Sequence, residues 1–376
     1  LAFAFLQTFW RTAVRADPHV LHAAFAVGLL LLVLEWRRRG GDLRWLAAAA
    51  FVFGLAIGNH LLTALLAPAL AAFVLLTEPG ILRRPRSIAA VGIAGLAGAA
   101  VYLYVPIRAA ADPPIHHDFA PTTWNLFWRY VLGGDFQGSM GFLSLSGPGR
   151  ALEGLPSFVD SLGRASHPAI VVGLVVLAAI GLVTLARRDP AAAVLLAVAG
   201  GLTLYAALTY SNGDIERYYF VPVLVGVAFA AVGLQAILEA GSARLPTVAD
   251  AAPVALVVPV FLAATNAARV DASSAGCFAD TALGEVAPNA VIMSWWSYTT
   301  PLWYERYVDG RRPDVEVFNG IDLVPGELDR RFGQGRPIYL IQMARTLDEI
   351  RARYELRPID ACGVTLEEVT GRVSGA

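Results

Sequence analysis

The stretch TYSNGDIERYYFVPV, residues 209–223, places Asp214, Glu216 and Arg217 within four consecutive positions, with Tyr218 and Tyr219 directly behind them. A carboxylate can accept the proton of an attacking hydroxyl, and the planar fork of a guanidinium can hold a phosphate through paired hydrogen bonds. Asp214 and Glu216 stand two apart and share no helix face. At most one is therefore expected to point into a cleft, while the other turns away or pairs with Arg217. Either would be stabilised by the dipole of the helix that opens at YFVPV. The alternative is a solvated turn between membrane spans, but three charges and two tyrosines exceed what solvating a turn needs.

Other polar residues interrupt apolar runs in the same way. Asn59 and His60 fall in the middle of a long apolar stretch, where His60 reads either as a cleft residue or as a hydrogen-bonded packing residue. Asp17 and His19 stand just before another apolar run. PIRAAADPPIHHDF follows a third and brings Arg108, Asp112, His116, His117 and Asp118. Arg108 suits a phosphate at the membrane interface. His116, His117 and Asp118 could ligate a metal, but adjacent histidines rarely turn both rings to one ion and no H-x-x-x-H spacing supports a site, so no metal is expected. TTWNLFWRYVLGGDF, residues 122–136, has apolar and aromatic residues at helical spacing and is expected to lie along the membrane surface. There is no G-x-S-x-G elbow, no Walker A motif and no H-E-x-x-H.

The elements that must position these residues are membrane spans. Hydrophobic residues make up 56% of the chain and charged ones 16%, against roughly 25% in an ordinary soluble protein. Mean hydropathy is +0.57. A formal net charge of −1 excludes the basic stripe that nucleic acid requires. Every basic residue other than histidine is Arg, and with abundant Ala and Gly this suggests a GC-rich bacterial genome. The chain opens at Leu1 inside an apolar run, which reads as a fragment with earlier spans missing. Runs of membrane length cover 19–36, 87–106, 168–186, 190–209, 218–238 and 248–267. The run 43–77 would measure ~52 Å as one helix, too long for a ~30 Å hydrocarbon core, so it should be two spans meeting near Gly58-Asn59-His60. With the end of another span at residues 1–14, eight full spans and a partial one are expected.

Arginine clusters at 36–44, 83–86, 186–190 and 239–244 all fall on one side when the spans alternate, which marks that side as cytoplasmic. Asp17, Asn59-His60, the loop 107–167, residues 210–217 and everything after Val270 then lie outside. The expected domains are a transmembrane domain, 1–270, and a soluble extracytoplasmic domain, 271–376. In the latter, short apolar strands at NAVIMSW, DVEVFN, PIYLIQM and VTLEEV alternate with helical stretches, as in a small parallel α/β domain. Cys277 and Cys362 lie in this domain and read equally as a disulfide or as two buried small side chains.

The blocks FWRTAVRADPHVLHAAF, FGLAIGNHLLTALLAPAL, VYLYVPIRAAADPP, TYSNGDIERYYFVP and NAVIMSWWSYTTPLWYERYVDGRRPDVEV span most of the chain. They resemble those of a bacterial polytopic membrane family, defined as a domain of unknown function and related to the protein O-mannosyltransferases among GT-C glycosyltransferases. GNH, YLYxPIR and D-x-E-x-Y are the most specific. The resemblance implies a mainly α, GT-C-like helical bundle in the inner membrane. It also implies sugar transfer from a polyprenyl-phosphate-linked donor to a protein or glycan acceptor on the outer face. Under it Asp214 and Glu216 orient substrate or assist proton transfer, and Arg217 and Arg108 hold phosphate. Asn59 and His60 line the cleft, with Tyr218, Asp17, His19, His116, His117 and Asp118 as further substrate contacts. In similar enzymes the catalytic acid lies on the first outer loop, which would put the main base upstream of Leu1. Asp17 stands where related chains often carry Glu, and His116-His117 where they tend to carry Asn-Trp. The alternatives are a lipid or solute transporter and a non-catalytic envelope protein.

Overall fold

The computed structural model describes residues 7–14, 17–111, 121–142, 144–165, 168–242, 273–320, 326–341 and 344–374. His116, His117, Asp118 and the expected span 248–267 lie outside the described residues. The described elements fall into two compact units, one up to Ser242 and one from Ser273 onward.

The first unit is helical. Its elements are α1 (Gln7–Ala13), α2 (Pro18–Arg38), α3 (Leu43–Asn59), α4 (Ala67–Thr77), α5 (Pro85–Ala99), α6 (Tyr104–Ala110), α7 (Trp124–Val131), α8 (Gly147–Ala165), α9 (Pro168–Arg188), α10 (Pro190–Leu208) and α11 (Phe220–Ser242). Among the described residues five helices are long and apolar enough to cross a membrane: Pro18–Arg38, Pro85–Ala110, Val171–Arg188, Pro190–Leu208 and Ile215–Gly241. The run 43–77 is broken where its length required, with His60 between Leu43–Asn59 and Leu61–Thr77, each shorter than a full span.

The ends of α2 and α10 fix their pairing. Asp17 caps α2 and Asp189 caps α10, each followed by Pro at the first helical position, where a missing N–H costs nothing. Arg37, near the end of α2, grips Asp189 through two hydrogen bonds of 2.7 and 2.5 Å. Arg188 likewise reaches Glu239 at the end of α11, at 2.9 Å. The arginine-rich termini thus gather at one end of the unit. The buried core between them is formed by Leu29, Val33, Trp36, Leu66, Phe73 and Leu195.

Helix pairs approach closely through glycine, which suits packing inside a bilayer, where burial alone gives little attraction. A Cβ at Gly98 would collide with the Phe51 carbonyl of α3, and one at Gly181 with the Phe229 carbonyl of α11. In α7, Thr123 accepts the Leu126 N–H at 3.3 Å as cap, and Trp124, Trp128 and Tyr130 stand exposed.

The second unit carries a five-stranded sheet ordered β2-β1-β3-β5-β4, from β1 (Val291–Ser294), β2 (Glu316–Asn319), β3 (Ile338–Leu340), β4 (Tyr354–Ala361) and β5 (Val364–Arg372). The expected parallel sheet is only half of it. β1 runs parallel to both β2 and β3, while β4 and β5 form an antiparallel hairpin against β3. The hairpin turns at Cys362 and Gly363, with φ of 53° and 82°, as a tight turn between twisted strands demands. Cys362 is bonded to Cys277 of helix Ser273–Glu285, fastening that helix to the turn.

Candidate functional site

The site forms where α1, the start of α2 and the turn before α11 meet. Residues 215–219 adopt a 3₁₀ turn, in which positions three apart lie one above the other. Asp214 and Arg217 therefore face each other, and Arg217 Nη2 donates to Asp214 Oδ2 at 3.2 Å. The preceding loop is pinned as well. Asn212 Oδ1 accepts the Asp214 N–H at 2.8 Å, and residues 139–141 pair with 209–211 through an isolated bridge and flanking backbone bonds.

Arg217 also reaches across to α2, where Nη1 donates to Asp17 Oδ2 at 2.6 Å. The other oxygen of Asp17 accepts both the backbone N–H and the ring Nδ1–H of His19, each at 2.8 Å. One carboxylate thus caps a helix, orients an imidazole and holds an arginine. Burial of Asp17 opposes its ionisation, but the bonds from the His19 N–H, the Arg217 guanidinium and the His19 ring outweigh it, so the carboxyl sits below its ordinary value.

Behind Asp17 lie three histidines. The His60 ring is 4.5 Å from that of His19 and 5.6 Å from that of His22, while Tyr218 packs 4.5 Å from His19 and 5.9 Å from His60. His60 Nδ1 accepts the Leu62 N–H at 3.2 Å, which fixes its tautomer. Thr63 Oγ1 gives its proton to the Ala56 carbonyl at 3.2 Å and so accepts from His22 Nδ1 at 3.0 Å. Among the described residues, His19 Nε2 and His22 Nε2 are buried without a hydrogen-bond partner. Asn59 donates to the Pro18 carbonyl at 3.0 Å, so the α3 end braces the α2 start. Among the described residues no group of three or more His, Cys, Asp or Glu is arranged to hold a metal ion.

In front of Asp17 opens a cavity of about 240 Å³ lined by Thr8, Arg11, Thr12, Asp17, Gly213, Asp214, Glu216 and Arg217. Of the two carboxylates, Asp214 pairs with Arg217 as one of them was expected to, but it is not turned out of the cleft, because Asp214 and Glu216 both line it. The short turn sends them to different walls. Asp214 meets Arg217, and Glu216 accepts from Thr8 Oγ1 of α1 at 3.4 Å.

The structure brings Asp17, Asp214, Glu216 and Arg217 to the cavity, and sets His19, His60, Asn59 and Tyr218 behind it. Arg108 is exposed on α6 and does not line the cavity. The sequence reading missed Arg11 and His22. Both carried a signal, a charge within the apolar run 1–14 and a second histidine three residues after His19 on one helix face.

Residues 1–80 match the family model of the protein O-mannosyl-transferase TMEM260 N-terminal domain. That match relates the chain to protein O-mannosyltransferases. It covers Arg11, Asp17, His19, Asn59 and His60, whereas Asp214, Glu216 and Arg217 lie beyond it and meet those residues only in the fold. No curated protein and no solved structure gives a significant match to the chain.

Proposed function

We propose that the chain belongs to a GT-C-type membrane glycosyltransferase that moves a sugar from a polyprenyl-phosphate-linked donor to a hydroxyl of a protein or glycan. The observation that carries this reading is the cavity itself. It unites the O-mannosyltransferase-like segment, through Arg11 and Asp17, with the acid and base of the 214–217 turn.

The guanidiniums of Arg11 and Arg217 suit the phosphate of the donor, and of the three carboxylates that line the cavity Asp214 and Glu216 are the ones offered to take a proton. In the reaction the acceptor oxygen bonds to the anomeric carbon while its proton passes to a carboxylate. The bond from that carbon to the phosphate oxygen breaks, and polyprenyl phosphate leaves with the electron pair, its charge stabilised by arginine. Asp214 is the better placed base. Its side chain is 68% exposed, while that of Asp17 is 7% exposed with both oxygens engaged.

The reaction takes place on the outer face of the inner membrane. The opposite end of the bundle carries the arginine clusters, and the Cys277–Cys362 disulfide of the second unit belongs in an oxidising compartment. The test uses the full-length protein in nanodiscs with a radiolabelled short-chain polyprenyl-phosphate mannose and an acceptor peptide. Asp214→Asn and Arg217→Ala should each lower transfer by about 100-fold or more. Label that stays on the lipid in the wild-type reaction, or transfer by both variants at the wild-type rate, would sink this reading.

A further inference from the structure

The two carboxylates on Arg217 are not equivalent. Asp17 Oδ2 meets Nη1 at 2.6 Å, and its rotamer is locked because Oδ1 holds two donors of His19. Asp214 occupies the opposite edge of the guanidinium through long bonds only, 3.2 Å from Nη2 to its carboxylate and 3.4 Å from Nε to its backbone carbonyl. Asp17 is buried at the head of a helix, whereas Asp214 is exposed on a turn. The Nε and Nη2 edge is also the one that a phosphate takes side-on, with two parallel bonds to two oxygens.

Resting on the function proposed above, we infer that Arg217 is a donor-gated clamp in which Asp17 is a positioning residue and Asp214 a displaceable occupant. When the lipid-linked phosphate arrives it takes Nε and Nη2, and Asp214 is released as a carboxylate without a guanidinium partner. Nη1 stays on Asp17, so the arginine is not drawn out with the phosphate. The gate orders the reaction, because the base is freed for the acceptor hydroxyl only after the donor is seated. A site without donor keeps Asp214 paired.

The two carboxylates should therefore respond to neutralisation with opposite signs. Simple electrostatics predicts that removing either negative charge beside an arginine strengthens phosphate binding. The gate predicts otherwise for Asp17→Asn, whose amide turns a donor toward Nη1 and leaves Arg217 unanchored. The test is titration of the full chain in nanodiscs with farnesyl phosphate, alongside inorganic phosphate as competitor. Asp214→Asn should bind farnesyl phosphate about threefold tighter, the effect of removing an exposed competing charge. Asp17→Asn should bind it about tenfold weaker or more. Asp17→Glu, which keeps a carboxylate, should recover part of that loss, which a fold defect alone would not allow.

If both neutralising variants shift binding in the same direction, the gate is wrong. If wild-type protein binds no farnesyl phosphate, the proposed function itself fails. Displacement by inorganic phosphate at equal concentration overturns the lipid-linked source, and failure to displace supports it.

Discussion

Replacing both Cys277 and Cys362 with Ala removes a cross-link whose partners are 85 residues apart in the chain. A bond closing a loop of that length restricts the unfolded chain by about 15 cal/mol/K, or about 4.6 kcal/mol at 25 °C. Alanine keeps the left-handed backbone at position 362 no worse than Cys did, since both carry a Cβ. With a urea sensitivity of about 1–3 kcal/mol per molar for a unit of this size, the unfolding midpoint should fall by about 1.5–4.6 M. The measurement is pulse proteolysis of the full-length protein in detergent across a urea series, following cleavage between Ser273 and the C-terminus. Wild-type protein treated with dithiothreitol should move to the midpoint of the double variant. Without reductant, the peptides of denatured wild type that hold Cys277 and Cys362 should carry no maleimide by mass spectrometry, because the two are bonded to each other. An unchanged midpoint, or full maleimide labelling of protein purified from membranes, would refute both the cross-link and the oxidising location inferred from it.

Two further predictions concern packing and pH. Gly181→Leu and Gly98→Leu should abolish monodisperse protein by size-exclusion chromatography, because each side chain meets a backbone carbonyl that cannot move aside, whereas Gly173→Leu, with open space around it, should behave as wild type. The carboxyls of Glu316, Glu327 and Asp329 are all held below their ordinary values. For Glu316, burial raises the value but Arg331 and Arg336 outweigh it; Glu327 is lowered by Arg330, and Asp329 by Tyr354 and Arg353. Such groups add stability above their unfolded values of 4.5 and 3.8 and lose it as pH falls through the folded ones. The urea midpoint of the second unit should therefore hold steady from neutral pH down to about 5 and decline below that. A midpoint that rises on acidification would contradict these pairings.

What could be read in the sequence followed physical periodicity and length. The break at His60 was legible because a single helix over 43–77 would overrun a bilayer, and the helices fall short on either side of that residue. The hairpin of β4 and β5 was not. TLDEIRARY keeps a helical pattern to its last residue, yet Tyr354 opens β4, and that strand holds Pro358, a residue type that strand interiors disfavour. β4 is the edge of the sheet, where a residue lacking an N–H leaves no ladder bond unmade. The site residues were legible one by one as charges misplaced in apolar surroundings. Their partnership was not, since nothing local says that Asp17 will meet a residue 200 positions away.

That partnership follows from helix ends. α10 must begin beside the end of α2, because Arg37 grips Asp189, and after 19 residues of α10 the chain returns to the level where α2 began. The turn that follows α10 is thereby delivered to Asp17, and a 3₁₀ segment rather than an α-helical one sets Arg217 over Asp214 instead of turning it past. The apolar lengths of two spans fix which charges meet, and the geometry of one short turn fixes how they meet. Arginine at 217 is thus shared between a carboxylate it cannot leave and one it can.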